Sequence, residues 1–144
     1  MKQPVHEHGE IGTDGLTKNQ ILVLDALTDA GGPLSAYGIL DQLRKHGFRA
    51  PLQVYRALEK LVDQGRVHRL ESLNAFVACR HPGCESQEAV IFAICTDCGN
   101  VDEMTDAGLG KKLHLLASEV EFSLAKSTVE LRGLCCNCSG GKAI

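Results

Sequence analysis

The chain of 144 residues is long enough for one domain or two small ones, and its hydrophobic content of 44% excludes a largely disordered protein. No run approaches the roughly 18 apolar residues of a membrane-spanning helix, so we expect no membrane partner. The seven cysteines are an odd number without a secretion signal. This pattern favours the reducing cytoplasm, where paired cysteines bind metal or carry redox chemistry more often than they form disulfides.

The net charge of −3 conceals a basic segment. Between residues 42 and 69, seven basic side chains and two acidic ones give a net charge of +5, which leaves −8 on the rest of the chain. Such asymmetry favours a basic contact surface on an acidic body. The basic residues are Arg44, Lys45, Arg49, Arg56, Lys60, Arg66 and Arg69.

The first half of the chain predicts a tail and three helices. Residues 1–15 are polar and Gly-rich without periodicity, which is typical of a flexible tail. Thr17 is the predicted N-cap of a first helix, and the stretch AGGP ends it. Ser35 caps a second helix, and Pro51 opens a third, where its missing N–H costs nothing.

Two short β-like runs follow the third helix. RVHRL at 66–70 and AFVAC at 75–79 flank ESLN and predict a hairpin. Three helices followed by a hairpin form the outline of a winged helix-turn-helix. We therefore expect a DNA-binding domain over residues 16–80, followed by a hinge in the Pro/Gly break at 81–88.

The second half, residues 89–144, predicts a β-β-α-β domain. AVIFAIC at 89–95 is typical of a buried strand, and NVDEM of a second strand. An apolar helical period from Leu109 to Val120 and an alternating run from Thr128 complete the pattern. So small a domain buries little on its own, so we expect a homodimer. The predicted fold class is α+β: a winged helix plus a small α/β domain for dimerisation and metal binding.

Two CxxC pairs are the strongest chemical signal. Cys95 and Cys98 form the first pair, and Cys135 and Cys138 follow 36 residues later. Zinc binds four thiolates tetrahedrally, and each CxxC presents two from one tight turn. We expect a structural zinc that joins both ends of the strand–helix–strand segment. Buried or redox-active thiols are the alternative, and Cys136 is a rival ligand at a poorer spacing.

A looser set of possible metal ligands surrounds the predicted hinge. It comprises His68, Cys79, His81, Cys84, Glu88, Asp102 and Glu103. Each residue has an ordinary alternative as a surface histidine, a small core thiol or a solvated carboxylate. Their placement on both sides of the hinge favours an ion that sets the angle between the domains. His6 and His8 in the tail favour adventitious metal binding at most.

Four stretches carry a resemblance to a known family. SAYGILDQLR, QVYRALEKLVDQGRVHRLES, ICTDCGNVDE and GLCCNC resemble the ferric uptake regulator family, and most closely its zinc-uptake-regulator branch. The resemblance runs from about residue 16 to residue 138. It implies a homodimeric, metal-dependent transcriptional repressor with an N-terminal winged helix and a C-terminal α/β dimerisation domain.

The resemblance also implies two zinc ions per monomer. The structural ion falls on the four cysteines of the CxxC pairs. The regulatory ion falls on His68, Cys79 and Glu103. The family commonly has a histidine as the fourth ligand a few residues before the first CxxC, and here Glu88 stands in that place. Glu88 is the predicted fourth ligand; His81 or Cys84 in its place, or a weaker or altered sensor, are the alternatives.

On the DNA side, the resemblance implies that Tyr55 and Arg56 lie at the major groove. The family usually has a small hydroxyl residue two positions before this tyrosine, whereas Gln53 stands there here. Glutamine can pair bidentately with adenine, so we expect a different base preference. Further phosphate and base contacts are expected from Arg44, Lys45, Arg49 and Lys60.

The resulting hypothesis is a repressor of zinc-uptake genes on palindromic operators. Zinc at the hinge raises the population in which two recognition helices lie about one DNA turn, ~34 Å, apart. Cys79 favours zinc because a thiolate is a soft ligand, whereas Glu88 in place of histidine points the other way. A regulator of the same family that senses iron, another metal or peroxide is the alternative.

Two other classes of protein fit the sequence less well. A zinc-ribbon interaction module without DNA binding would leave the basic segment unexplained. An enzyme is disfavoured because two matched CxxC pairs fit metal better than thioredoxin-like chemistry, and the signature of the zinc deaminases is absent. We predict no enzymatic activity and no small organic substrate.

Overall fold

The structure is a computed structural model, and it describes residues 15–80 and 89–140. We refer to these ranges as the N-terminal half and the C-terminal half. Nearly all of the predicted tail and the whole predicted hinge lie outside the described residues. The same holds for five side chains singled out in the sequence: His6, His8, His81, Cys84 and Glu88.

The N-terminal half folds into three helices and a hairpin, as predicted. The elements are α1 (Lys18–Ala30), α2 (Ala36–Leu43), α3 (Pro51–Asp63), β1 (Val67–Leu70) and β2 (Ala75–Ala78). The predicted caps are confirmed. The Thr17 hydroxyl accepts from the Gln20 N–H at 3.2 Å, the Ser35 hydroxyl accepts from the Gly38 N–H at 3.0 Å, and Pro51 is the first residue of α3.

Two local features were not predicted from the sequence. A 3₁₀ turn over Arg44–His46 joins α2 to the loop before α3, and it ends at Gly47 with φ of 96°. Leu34 pairs with Phe76 through two backbone hydrogen bonds of 2.8 and 3.0 Å, which adds a short third segment to the hairpin. The pairing of Leu34 with Phe76 joins segments that are far apart in sequence, so no local pattern predicts it.

The C-terminal half has the predicted β-β-α-β order. Its elements are β3 (Ala89–Cys95), β4 (Val101–Asp106), α4 (Ala107–Glu119) and β5 (Thr128–Gly133). The sheet order is β4-β3-β5, with β3 antiparallel to β4 and parallel to β5. Asp106 caps α4 by accepting from the Leu109 N–H at 3.0 Å. No helix among the described residues has the length and hydropathy needed to cross a bilayer.

The hairpin is buried on both faces, and through it the two halves contact each other. One face joins the helical core through Val67 and Phe76. The other face carries Leu70 and Val77, and it packs against the sheet. The sheet side of this contact consists of Val90, Phe92 and Ile94. The orientation of the hairpin therefore depends on apolar packing from both halves.

The helical core predicts a contrast between two leucines of α3. Leu58 is 1% exposed, whereas Leu52 on the outer face is 56% exposed. Leu58→Ala should lower the free energy of unfolding by about 2–5 kcal/mol because it leaves a cavity. Leu52→Ala should change it by less than about 0.5 kcal/mol. Denaturant unfolding followed by circular dichroism measures both, and equal effects would contradict this assignment of the core.

Candidate metal centres and DNA-binding surface

The four predicted zinc cysteines meet at one end of the sheet. Cys95 is the last residue of β3, and Cys135 follows β5 by two positions. Strands β3 and β5 are parallel neighbours with Cys95 in register with Gly133, so both strands finish at the same end of the sheet. The parallel pairing therefore brings together two CxxC pairs that lie 36 residues apart in sequence.

The geometry of this thiol cluster fits a tetrahedral ion. The sulfur atoms of Cys95, Cys98, Cys135 and Cys138 all lie within 4.8 Å of one another, and Cys98 Sγ is 3.7 Å from Cys135 Sγ. A tetrahedron with zinc–sulfur bonds of about 2.3 Å has sulfur–sulfur edges of about 3.8 Å. Cys136 is exposed and does not join the group. The cluster can therefore hold zinc with sulfur ligands alone.

The thiols also influence each other's ionisation. The pKa of Cys95 is lowered to about 6, because the backbone N–H groups of Cys135 and Cys98 donate to its sulfur. The pKa of Cys138 is raised, because hydrogen bonds between its thiol and those of Cys135, Cys95 and Cys98 favour the protonated form. Cys95 is thus prepared as a thiolate, whereas a fully ionised cluster requires a cation.

A second cluster links the hairpin to the sheet, and we call it the sensor cluster because it consists of three of the predicted sensor ligands. His68 lies in β1, Cys79 follows β2, and Glu103 lies in β4. His68 Nε2 is 3.6 Å from Glu103 Oε1, and the Cys79 thiol is 3.7 Å from the same oxygen. These three residues offer ligand atoms within 4.8 Å of one another. Nitrogen, sulfur and oxygen at such separations match the edges of a four-coordinate zinc site.

Glu103 is the centre of the sensor cluster. Its side chain is only 4% exposed and that of His68 only 9%. The second oxygen of the carboxylate accepts from the Arg80 N–H at 3.2 Å, which orients the side chain. A carboxylate this deeply buried requires hydrogen bonds, a cation or both, and a metal ion held by these three residues would supply the cation.

Strand alternation excludes Asp102 from the cluster. Asp102 is exposed on the opposite face of β4, where it accepts from the Asn100 side chain at 3.2 Å. The sequence did not single out Phe92, whose ring lies 5.3 Å from that of His68 and tilts 60° against it. Its position in an apolar strand marks it as core, and only the fold places it beside a ligand.

The predicted DNA-binding residues lie on the exposed side of the N-terminal half. Tyr55, Arg56 and Lys60 are exposed along α3, and Tyr55 is 42% accessible. Arg49 precedes this helix, and Arg44 and Lys45 lie in the 3₁₀ turn, all three exposed. Arg44 also pairs with Asp41 at 3.2 Å. The five basic side chains from Arg44 to Lys60 are therefore all exposed, on α3 or on the turn and loop before it, whereas Arg66 is half-buried.

Gln53 has a role that the sequence did not reveal. Its side-chain oxygen accepts from the N–H of Arg49 at 2.7 Å and from that of Ala50 at 3.1 Å. These bonds satisfy backbone donors at the start of α3, as the glutamine of a capping box does. Bidentate pairing with adenine would require both bonds to break, because it uses the same oxygen.

No family model matches this chain. Similar proteins are found both among curated sequences and among solved structures. The zinc uptake regulation protein of Escherichia coli (strain K12) is 38% identical over 124 residues, which span 85% of this chain and 72% of that protein. The holo XcZur crystal structure is 42% identical with a TM-score of 0.78, and the match covers 87% of this chain and 86% of that chain.

A zinc uptake regulator complexed with zinc and DNA has a similar structure. It is 36% identical with a TM-score of 0.79, and the match covers 87% of this chain and 83% of that chain. The similarity in sequence and fold thus extends over nearly the whole chain. The chain therefore belongs to the ferric uptake regulator family, in its branch of zinc uptake regulators.

Proposed function

We propose that this protein is a zinc-responsive transcriptional repressor that binds palindromic operators of zinc-uptake genes as a homodimer. Membership of the family makes the chain a regulator rather than an enzyme. The sensor cluster carries the proposal, because His68 and Cys79 belong to the hairpin while Glu103 belongs to the sheet. A ligand set divided in this way responds to metal by changing how the two halves are held.

The two clusters have different tasks in this proposal. The four-cysteine set lies within the C-terminal half, so it stabilises that half irrespective of DNA. A structural zinc of this type contributes about 10–16 kcal/mol to folding, more than the stability of most small domains. The sensor cluster needs a weaker, exchangeable ion, which brings the proposed content to two zinc ions per monomer.

When bound to the sensor cluster, zinc supplies a cross-link between the hairpin and β4. His68 and Cys79 then hold the hairpin, and with it the N-terminal half, packed on the sheet in what we call the closed arrangement. This population shift sets the separation of the two α3 helices in a dimer. Glu88 remains the predicted fourth ligand, with His81 as the alternative.

The DNA interface is proposed on α3 and the preceding turn. Tyr55 and Arg56 contact bases, and the surrounding lysines and arginines contact phosphates. Gln53 supports this surface by capping α3, and its side-chain N–H₂ is the group left for a base. A repressor of this kind acts in the cytoplasm, where the operator DNA is.

Exposed apolar side chains in the C-terminal half support the homodimer. They are Leu115, Leu116, Val120, Phe122, Leu131 and Leu134, with exposures from 45% to 75%. They lie on α4, in the segment that follows it, on β5 and directly after β5. A patch of this kind on a small domain is typical of a protein–protein interface. We propose 16–80 as the DNA-binding domain, 81–88 as the hinge and 89–144 as the dimerisation domain.

Cys79→Ser should abolish the response to zinc while the fold is retained. A hydroxyl is a poor zinc ligand, and Cys79 lies at the edge of the hairpin packing rather than in the four-cysteine set. Operator binding measured by mobility shift should then be equally weak with and without added zinc. A retained zinc response would remove Cys79 from the sensor, and loss of the folded state would make it structural.

The neighbouring Cys135 and Cys136 provide a matched pair. Cys135→Ser should release the tightly held zinc and unfold the C-terminal half, because it removes one of four thiolates. Cys136→Ser should retain both the zinc and the fold. Zinc counted per monomer before and after mild chelation, with circular dichroism, measures both variants. Equal zinc contents would contradict the proposed ligand set.

Arg56 and Lys60 should have different effects on operator binding. Arg56→Ala should cost about 1–3 kcal/mol and relax base specificity, whereas Lys60→Ala should weaken binding to all sequences alike. Lys60→Ala should also reduce the slope of log affinity against log salt by about one, because it removes one phosphate interaction. Lys111→Ala on α4 is the control and should have little effect. Binding titrations on operator and scrambled DNA at several salt concentrations distinguish these outcomes.

A further inference from the structure

A row of three residues crosses the sheet beneath the hairpin. Phe92 on β3 is in register with Glu103 on β4 and with Glu130 on β5. Neighbouring strands are about 4.8 Å apart, so the two glutamates are separated by about 10 Å across the sheet. Both contact the hairpin: Glu103 through the sensor cluster, and Glu130 at the hairpin tip.

The tip contact is a hydrogen bond from the backbone. The Ser72 N–H, in the turn between β1 and β2, donates to both oxygens of Glu130 at 3.2 and 3.4 Å. His68 lies beside Glu103 on β4, and Ser72, four residues later, lies beside Glu130 on β5. The hairpin therefore crosses the sheet from β4 at one edge to β5 at the other. The metal ligands hold one end of the hairpin, and Glu130 holds the other.

A second contact reaches the recognition helix itself. The Lys126 ammonium, just before β5, donates to the Val62 carbonyl at 3.3 Å. Val62 belongs to the last turn of α3, where the helix dipole favours a cation. Its carbonyl also accepts from the Gly65 N–H at 3.0 Å, so Lys126 adds a second donor to it. Lys126 and Glu130 lie four residues apart, and together they connect one edge of the sheet to both the hairpin tip and α3.

We infer that Lys126 and Glu130 form a metal-independent latch that sets the zinc concentration at which the regulator responds. This inference rests on the proposed function. Both contacts join the two halves and require the closed arrangement, yet neither residue belongs to the sensor cluster. They stabilise the closed arrangement in the absence of sensor zinc and leave the zinc ligands unchanged.

The consequence for zinc binding follows from a two-state equilibrium. The apparent affinity for sensor zinc is the intrinsic affinity multiplied by the fraction of molecules already closed. A weaker latch lowers that fraction, so more zinc is needed for half-occupancy. At saturating zinc, both the wild type and a variant with a weaker latch are closed, so their operator affinities are nearly equal.

The test is the double variant Lys126→Met/Glu130→Ala, with Lys111→Met/Glu119→Ala on α4 as the control. Both pairs remove one positive and one negative charge, and the control residues are exposed. Three quantities are measured on protein that retains its structural zinc. They are the free zinc at half-occupancy of the sensor, buffered with chelators; operator affinity with and without sensor zinc; and the thermal unfolding midpoint.

We expect the latch variant to need about 4- to 100-fold more free zinc, since each net hydrogen bond contributes a factor of about 2 to 10. Operator affinity without sensor zinc should fall by a similar factor, and operator affinity at saturating zinc should stay within about twofold. Lys126→Arg retains a cationic donor and should respond like the wild type. Glu130→Gln retains an acceptor oxygen and should give a smaller shift than the double variant.

Three outcomes overturn the latch. These are an unchanged zinc midpoint, a loss of operator affinity that persists at saturating zinc, and a shift that the α4 control reproduces. Should the double variant fail to fold, Glu130→Gln alone gives the comparison with a milder change, and Lys126→Arg serves as its control with wild-type behaviour. If the wild type binds the operator equally well with and without sensor zinc, the proposed function fails instead, and this result is independent of the variants.

Discussion

Burial of the β1–β2 hairpin on both faces couples the N-terminal half to the C-terminal half. Alternate residues of a strand point to opposite sides, so four-residue strands can serve two cores at once. Val67 and Phe76 belong to the helical core, while Leu70 and Val77 belong to the core shared with the sheet. A change in how the hairpin packs on the sheet therefore also changes the position of the helices packed on its other face, including α3.

The polar groups on the sheet face follow the same alternation. His68 shares a face with Leu70, and Glu103 shares a face with Phe92, so strand geometry brings the imidazole and the carboxylate together in a nearly dry interface. A charged group in such an interface is costly unless it is paired. The proposed metal ligands therefore stabilise the contact only when their charges are paired, which is what the proposed sensing role requires.

Much of the molecule was predictable because its signals are local. The helix caps at Thr17 and Ser35, the proline that opens α3 and the period change at the hairpin each depend on a few adjacent residues. The CxxC spacing identified the four cysteines, since two thiols in one tight turn carry chemical meaning without any fold. The remaining sites lacked such a signal: Gln53 was expected to contact a base, and no sequence pattern singled out Glu130.

Local sequence patterns were enough to predict the element order, the four-cysteine set and the chemical types available at the hairpin. The folded chain was needed to show that β5 lies parallel to β3, that Glu103 rather than Asp102 faces the hairpin, and that Glu130 and Lys126 contact the N-terminal half. The reason is that strand register and face depend on burial of apolar residues far apart in the chain. A shift of one residue in register would reverse every one of these side chains, and no local pattern carries that information.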